Sequence, residues 1–295
     1  MACLSRFKTF SPERVAQIAQ KCLHDEINTW PKPGLVSHID NGSHTDMDAH
    51  TFYRSAAAIQ PYLALMAQAG YENAGMSTLR QIGIDAEKAM LEATSGINTH
   101  RGAIFGLGLL CAATGVRQRN SNNTADMQLG EIVSLCWGPD ILNTGKPNAT
   151  TPSHGEIVRQ RYGAGGAREE AFYGFPCAYQ IGLPALNEAI QLSPGNHEAI
   201  RIQTCFALIA RVEDTNLLHR GGKQGLEFAQ THAQNFLNQG GISKPGWVNH
   251  AKQIHHEFIK RNLSPGGTAD LLSMTLFIHA CEHNHHRKQK NSHVI

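Results

Sequence analysis

The stretch TWPKPGLVSHIDNGSHTDMDAHTF, residues 29–52, concentrates side chains that can move protons and bind ions. It contains Lys32, three histidines and three aspartates, set among two prolines and two glycines. Imidazole groups titrate near neutral pH, and Mg²⁺ prefers oxygen ligands such as carboxylates. The stretch therefore predicts one wall of an active site. The structural alternative is a proline-rich loop between two helices, in which Thr45 and Asp48 only cap the following helix.

Four further polar clusters lie at the predicted ends of helices. Backbone N–H groups at a helix start and arginine side chains both bind phosphate oxygens. Each cluster also has a structural explanation, because glycine pairs end helices and the helix dipole stabilises an aspartate in the first turn. Taken together, the clusters predict a polyphosphate site with Mg²⁺ where several helix ends meet. Their sequences are EATSGINTHRGAIF (92–105), YGAGGAREEAFYGFP (162–176), EDTNLLHRGGKQG (213–225) and KRNLSPGGTADLL (260–272).

Common nucleotide and hydrolase motifs do not occur in the chain. The phosphate loop G-x-x-x-x-G-K-[ST] and the nucleophile elbow G-x-S-x-G are both missing from the sequence. The dipeptide His24-Asp25 keeps a metal-dependent, all-α phosphohydrolase as an alternative, although its place within an amphipathic segment is typical of a surface pair. A third interpretation is a non-enzymatic helical adaptor, which the grouping of polar residues at helix ends disfavours.

Helical periodicity dominates the chain, whereas β-type alternation is nearly absent. Ser11-Pro12-Glu13 is a start signal for a helix that runs to about Asn28, and Thr45-x-x-Asp48 predicts the cap of a second helix. Ser153-x-x-Glu156 is typical of a capping box. We predict an all-α fold, a single multi-helix domain over residues 1–295 with its active site in polar loops at helix ends. The further predicted helices cover 77–94, 99–116, 125–137, 153–162, 196–211, 222–238, 247–261 and 268–283.

The composition is that of an ordinary globular protein. The formal net charge of +2 over 295 residues gives no reason to expect nucleic-acid binding. The seven cysteines form no C-x-x-C pair, and we expect free thiols in a reducing cytoplasm. We recognise no signal peptide, and the longest apolar run, residues 103–116, is too short to cross a bilayer. Residues 284–295 form a His/Lys-rich segment that we expect to be a flexible tail, and a homo-oligomer is left open.

Six stretches, in order along the chain, resemble the triphosphoribosyl-dephospho-CoA synthase family. They are PKPGLV (31–36), GSHTDMD (42–48), GINTHRGAIF (96–105), GGAREEAFYGFP (165–176), DTNLLHRGG (214–222) and RNLSPGGTADLL (261–272).

The resemblance implies an enzyme that joins ATP to 3′-dephospho-CoA and releases adenine. The 2′-hydroxyl of dephospho-CoA would attack the ribose carbon that carried adenine, and the triphosphate would stay on the transferred sugar. The product would be the prosthetic-group precursor for the acyl carrier protein of malonate decarboxylase or citrate lyase, passed on by a holo-transferase. The PSHGE and DTNLLHRGG stretches favour the malonate decarboxylase branch.

This reaction suggests a role for each polar cluster. Displacing adenine needs a carboxylate to stabilise positive charge and groups that carry protons, while the triphosphate needs cations and Mg²⁺. We expect His44 and His100 to carry protons, with Asp46, Glu170 and Asp214 as further catalytic groups. Mg²⁺ ligation is expected from Asp46, Asp214 and Asp270, with Glu170 as the alternative. Expected substrate and phosphate ligands are Lys32, Asn98, Arg101, Arg168, Asn216, Arg220, Asn262, Gly266 and Gly267, of which the three asparagines would hold ribose hydroxyls.

The chain departs from the family pattern at three positions. Arg101 stands where the family usually has lysine, which keeps the charge and changes the geometry. Thr268 replaces a serine and keeps the hydroxyl. Glu169 replaces a glycine, and a side chain there could tighten or block the pocket, which would alter substrate preference.

Overall fold

The computed structural model describes residues 10–119, 124, 126–143, 158 and 160–282. Over these residues the chain forms eleven α-helices and no strand, which confirms the all-α prediction. Short π and 3₁₀ turns occupy Ala178–Gly182 and Gly241–Ser243. The helices are α1 (Pro12–Ile27), α2 (Ala49–Tyr71), α3 (Met76–Ala93), α4 (Arg101–Arg119), α5 (Leu129–Leu142), α6 (Gly166–Phe172), α7 (Leu183–Leu192), α8 (His197–Arg211), α9 (Thr215–Asn238), α10 (Trp247–Lys260) and α11 (Gly266–Glu282).

Capping side chains set where the first two helices begin. Ser11 caps α1 as predicted, since its hydroxyl accepts a hydrogen bond from the Arg14 backbone N–H at 3.3 Å. The second helix begins later than Thr45 would place it. Asp48 is itself the N-cap, and its Oδ1 accepts from the Thr51 N–H at 2.8 Å. Thr45 therefore belongs to the preceding loop, and the predicted Thr45-x-x-Asp48 box is wrong.

The helical prediction also differs from the structure around α9. Residues of DTNLLHRGG are already helical from Thr215, because Asp214 caps the helix there. The predicted start near 222 is instead a kink, at which Gly222 adopts φ 60° and ψ −159°. Helices α6 and α7 were not predicted from the sequence pattern. The predicted helix 153–162 and its Ser153 capping box lie mainly outside the described residues, as does the tail at 284–295.

The described helices share one hydrophobic core, with α4 at its centre. Leu107, Leu110 and Cys111 of α4 are fully buried. The α2 and α4 backbones touch at glycines, since a Cβ added at Gly70 or Gly115 would overlap a carbonyl of the other helix. This close packing fixes the axis of α4 and therefore the position of its N-terminus.

Three helix starts meet at one end of the core, those of α4, α9 and α11. The Asp270 carboxylate of α11 packs against Gly102 of α4, where an added Cβ would overlap it. The Thr268 N–H of α11 donates to Asp214, the cap of α9. The structure thus brings together three of the predicted polar clusters. Within the described ranges, no helix is long and apolar enough to span a membrane.

Candidate active site

Asp214 joins the starts of α9 and α11 through four hydrogen bonds. Its Oδ1 accepts from the N–H groups of Asn216 and Leu217 at 2.8 and 3.2 Å. Its Oδ2 accepts from the Thr268 N–H at 2.7 Å and the Thr268 hydroxyl at 2.9 Å. A carboxylate offers about four lone-pair positions, so these donors saturate Asp214. Burial raises the pKa of Asp214, and the hydrogen bonds act in the opposite direction.

Glycines allow close approach of the side chains beside this junction. A Cβ added at Gly266 would lie 2.8 Å from Asn216 Nδ2, and one at Gly267 would lie 3.2 Å from Asp214 Oδ2. The structure therefore brings together four predicted site residues, Asp214, Asn216, Gly266 and Gly267. This close packing is a steric reason for glycine at positions 266 and 267, in addition to the predicted role of the pair in binding phosphate.

Asp270 of α11 packs against the start of α4, and further carboxylates lie nearby. Its carboxylate accepts from the Ala103 backbone N–H, which favours the ionised form. Burial and the nearby carboxylates of Glu26 and Asp214 act more strongly and raise the pKa of Asp270 well above its ordinary value. An additional positive charge at this place would therefore be stabilised.

Lys32 is fully buried in an ion pair with Glu26, which is 4% exposed. Burial raises the pKa of Glu26, whereas Lys32 lowers it. In this conformation the Lys32 ammonium faces Glu26, and it is not presented at the surface to a phosphate. The predicted phosphate contact of Lys32 would require a ligand that reaches the interior.

His44 and Arg220 form a second group of predicted residues. His44 Nε2 lies 2.9 Å from the Ser264 hydroxyl, and its Nδ1 lies 3.5 Å from Asp46 Oδ1. Arg220 Nη2 lies 3.3 and 3.4 Å from the two ring nitrogens. Burial and then the Arg220 guanidinium lower the pKa of His44. The ring is therefore held neutral near pH 7, the state in which it can accept a proton.

Backbone and side-chain oxygens fix the direction of Arg220. Its Nη1 donates to Asn262 Oδ1 at 2.8 Å, and to the carbonyl groups of Asn262 and Ser43 at 3.2 Å each. Asn262 adopts φ 53°, a conformation that asparagine tolerates better than most residues. The predicted residues His44, Asp46, Arg220 and Asn262 thus lie together.

His100 is buried against a pair of hydroxyl groups. The Thr99 hydroxyl donates to Ser55 Oγ at 2.7 Å, and the Ser55 hydroxyl lies 2.6 Å from His100 Nδ1. When Ser55 donates to Nδ1, the ring hydrogen lies on Nε2, a nitrogen for which the described residues supply no partner. Burial and the neighbouring His24 and Lys32 lower the pKa of His100 to about 3. A neutral donor fits this geometry better than an acid that gives up an imidazolium proton.

Two of the predicted substrate ligands, Asn98 and Arg101, make contacts within the protein at the α3–α4 junction. Asn98 Oδ1 accepts from the Arg101 backbone N–H at 3.3 Å, which caps α4. The Arg101 side chain is 46% exposed and donates from Nε to Glu87 at 3.0 Å. This pairing directs the guanidinium toward α3. The predicted ribose contact of Asn98 and phosphate contact of Arg101 stay predictions.

Helix α6 carries Arg168, Glu169 and Glu170. Its first residue, Gly166, faces Thr215 at the start of α9, where an added Cβ would lie 3.5 Å from Thr215 Cγ2. Glu170 accepts from the Cys177 N–H at 2.7 Å, and burial raises its pKa. The Glu169 carboxylate folds over Gly165, so that an added Cβ there would overlap it. The structure brings α6 to the site but shows no contact of Arg168 or Glu170 with His44 or Asp214.

The carboxylates do not form a metal cage of their own. Over the described ranges, no group of three or more His, Cys, Asp or Glu side chains is arranged to hold a metal ion. Asp214 is saturated by donors, so a role as Mg²⁺ ligand does not fit this conformation. Asp46, whose side chain is 60% exposed, and Asp270 keep oxygen atoms with fewer partners. Asp46 fits Mg²⁺ that arrives bound to phosphates, which is the usual mode for this ion. The Mg²⁺ contact of Asp270 stays a prediction.

Sequence reasoning missed four residues of this region: Glu26, Asp40, Ser264 and His255. Asp40 lies in the opening stretch and Ser264 within the quoted RNLSPGG, so both stood in regions already singled out. Glu26 and His255 lie within amphipathic helices, where nothing in the pattern distinguishes them from surface residues. Their roles depend on partners distant in sequence.

Fold and site define an all-α protein whose polar residues converge where helices begin, with a neutral histidine beside a fixed arginine. Residues 12–289 match the family model described as ATP:dephospho-CoA triphosphoribosyl transferase. The chain belongs to this family of transferases.

Curated relatives agree with the family model. The chain is 37% identical over 286 residues to the 2-(5''-triphosphoribosyl)-3'-dephosphocoenzyme-A synthase of Klebsiella pneumoniae, covering 95% of this chain and 94% of the relative. Proteins named as probable synthases of the same kind are 38% identical in Vibrio cholerae, with 92% and 90% covered, and 35% identical in Acinetobacter calcoaceticus, with 92% and 91% covered. No solved structure matches the chain.

Proposed function

We propose that this enzyme transfers the 5-triphosphoribosyl group of ATP to the 2′-hydroxyl of 3′-dephospho-CoA and releases adenine. The observation that carries the proposal is the family match over residues 12–289, which includes all the polar residues of the site. In this reaction the bond from ribose C1′ to adenine N9 breaks, and a bond from C1′ to the 2′-oxygen of dephospho-CoA forms. The hydroxyl proton leaves to a base, and adenine departs with a proton.

His44 is the best candidate for the base. Arg220 and burial keep its ring neutral, and Ser264 fixes the ring through a contact at 2.9 Å. A hydroxyl that replaced Ser264 or Asp46 at one of the ring nitrogens would donate its proton to the imidazole. Arg220 beside the ring would hold a phosphate near the same point, because its fork is already oriented by Ser43 and Asn262.

The distribution of charge suggests an orientation for ATP. Arg220 lies at the His44 end, whereas Glu26, Asp214 and Asp270 crowd the interior around the single ammonium of Lys32. Phosphates are repelled by the interior carboxylates, while the positive charge that develops on C1′ during glycosyl transfer is stabilised by them. The triphosphate therefore belongs near Arg220 and the ribose near Asp270. His100 Nε2–H would donate to an acceptor atom of the bound nucleotide.

Mg²⁺ would accompany the triphosphate, neutralise part of its charge and contact Asp46, which lies beside His44 and Arg220. The product would serve as the prosthetic-group precursor for an acyl carrier protein, in malonate decarboxylase or citrate lyase, and a holo-transferase would attach it. An enzyme that supplies this precursor would work in the cytoplasm. The Lys, Arg and Gly residues on α6 and α9, including Arg168, would complete the contacts to the two phosphorylated substrates.

The test is product analysis with purified protein, ATP, Mg²⁺ and 3′-dephospho-CoA. Adenine that appears only when dephospho-CoA is present supports the transferase. ADP or AMP with released phosphate would support the phosphohydrolase instead, and no turnover with no nucleotide-induced stabilisation would support the adaptor. His44→Gln is expected to lower kcat at least 100-fold. His38→Gln, an exposed histidine of the same loop, is the matched control and should leave the rate unchanged.

A further inference from the structure

His255 of α10 is a fully buried histidine outside the groups described above. Its Nδ1 lies 2.6 Å from the carbonyl oxygen of Lys32, and the Gly34 N–H lies 3.2 Å from the same nitrogen. Its Nε2 lies 3.1 and 3.2 Å from the two carboxylate oxygens of Asp40. One imidazole thus contacts three residues of the segment Trp30–His44, which we call the Trp30–His44 loop.

Asp40 connects His255 to the rest of this loop. Its Oδ2 accepts from the Trp30 indole N–H at 2.8 Å, and its Oδ1 accepts from the Gly42 N–H at 3.0 Å. The Asp40 carbonyl accepts from the Ser37 N–H at 2.8 Å. Asp40 therefore links both ends of the loop to the interior histidine.

The contact between His255 and Asp40 requires a hydrogen on Nε2. At Nδ1 two contacts compete, because the Lys32 carbonyl only accepts and needs a hydrogen on this nitrogen, whereas the Gly34 N–H needs its lone pair. A carboxylate also only accepts, so Nε2 must donate to Asp40. Because the acceptor is a carboxylate, this is a charge-assisted hydrogen bond, which is stronger than a neutral one.

The loop held by this pair carries two residues of the site. Lys32 follows Trp30 by two positions, and its side chain pairs with Glu26 in the interior. At the other end, the Ser43 N–H donates to the Gly34 carbonyl at 3.0 Å, and the Ser43 hydroxyl donates to Leu263 at 2.7 Å. The next residue is His44. Movement of the loop would displace the backbone of both Lys32 and His44.

We propose that Asp40 and His255 are positioning residues for catalysis, which act by fixing the Trp30–His44 loop so that His44 meets the substrates and Lys32 keeps its ion pair with Glu26. The proposal rests on the proposed transferase function. A displacement of about 1 Å in a reacting group can lower a rate about 100-fold. Neither Asp40 nor His255 needs to touch a substrate for this effect.

The experiment compares Asp40→Asn, His255→Gln and the double variant with the natural enzyme. Glutamine places its amide near the Nε2 position and loses the contact with Lys32, while Asp40→Asn removes the charge and keeps the shape. We expect kcat to fall about 10- to 100-fold in each single variant. KM for ATP and for dephospho-CoA should change less than about threefold, since the phosphate contacts are kept. The kcat of the double variant should lie no more than about threefold below that of the poorer single variant, because the two residues act together.

Two further measurements separate positioning from a general loss of structure. His256→Gln changes the exposed neighbour of His255 on α10 and should leave kcat unchanged. Amide hydrogen exchange should accelerate at Gly42 and Ser43 in Asp40→Asn and His255→Gln, while protection in α4 stays unchanged. Natural kcat in the folded single variants would overturn the proposal, as would multiplicative losses in the double variant. If the natural enzyme released no adenine, the proposed function would fail, and unchanged exchange in the variants would separately refute the loop contact.

Discussion

Replacing Asp214 by asparagine tests whether this buried residue acts mainly as a junction between helices. Asparagine keeps one oxygen, which can still accept from Asn216 and Leu217 and cap α9 as well as aspartate does. Its amide group then faces the two donors of Thr268. The Thr268 hydroxyl can rotate and accept, but the Thr268 N–H is left without its partner.

The magnitude follows from this single buried donor. An unsatisfied buried N–H costs about 1–3 kcal/mol, so we expect Asp214→Asn to lower the free energy of unfolding by about 2 kcal/mol. Asp214→Ala loses the cap and all four bonds, and the expected loss is about 3–5 kcal/mol. Thr268→Val keeps the shape of the residue and removes only the hydroxyl, with an expected loss of about 1 kcal/mol.

Equilibrium urea unfolding of the two single variants and the double variant Asp214→Asn/Thr268→Val provides the assay. Residues in one hydrogen-bond network should show a coupling energy of at least about 0.5 kcal/mol. The folded Asp214→Asn protein should also need the same Mg²⁺ concentration for half-maximal rate, within about twofold, because the saturated carboxylate is not a ligand. A stability loss below about 0.5 kcal/mol would refute the four-bond junction. A large shift in the Mg²⁺ requirement would show that Asp214 does bind the metal.

Three other perturbations probe the surrounding charges. The pKa of Asp40 is lowered from 3.8 to about 2, so its contribution to stability is present above pH 4 and is lost as the pH falls from about 4 toward 2. The shift corresponds to about 2 kcal/mol, and solvent screening at its 31% exposed side chain reduces this to about 1–2 kcal/mol. The stability difference between the natural protein and Asp40→Asn in urea unfolding should shrink by that amount between pH 5 and pH 2; a constant difference would contradict it. Glu26→Gln leaves the Lys32 ammonium buried without a counter-charge and should lower the free energy of unfolding by about 3–5 kcal/mol. The double variant Glu26→Gln/Lys32→Met should recover most of this loss, and equal losses in the single and double variants, measured by thermal or urea unfolding, would argue against the ion pair. Gly102→Ala should displace the Asp270 carboxylate from α4 and lower kcat. Gly96→Ala is a control for a glycine change nearby, since an added Cβ there meets no atom within 4 Å, although it carries backbone strain at φ 88°. A natural kcat in Gly102→Ala would mean that the contact between Gly102 and Asp270 does not matter for catalysis.

The helical architecture and the convergence of helix starts could be predicted from the sequence. Regular apolar spacing and cap residues such as Ser11 depend only on local chain geometry. The joining of Asp214 with Asn216 and Gly266 also followed, since polar clusters at helix ends could meet at one end of the core. The start of α9 was misplaced because its first turn is polar, and because Gly222 reads as a helix end but is a kink within the helix.

The direction of individual side chains could not be predicted. Arg101 turns toward Glu87 because that carboxylate is the nearest partner across α3, which no local pattern reveals. His100 is buried against Ser55, 45 residues earlier in the chain. His255 bonds Asp40 across 215 residues, and its segment reads as an ordinary amphipathic helix. Each of these depends on which helices pack together.

Helix capping and metal or acid–base chemistry use the same residue types, and this overlap limits inference from motifs. Aspartate at a helix start satisfies backbone N–H groups, and aspartate in an active site binds cations or stabilises positive charge. The number of hydrogen-bond donors around each carboxylate separates the two uses. Asp214 meets four donors and Asp48 is a cap, whereas Asp46 contacts His44 at 3.5 Å and Asp270 accepts from a single backbone N–H. Asp46 and Asp270 are therefore the carboxylates with oxygen atoms left for a ligand, one near His44 and one in the acidic interior. The proposed transfer has a use for both places, since its triphosphate carries Mg²⁺ and its ribose C1′ develops positive charge while the bond to adenine breaks.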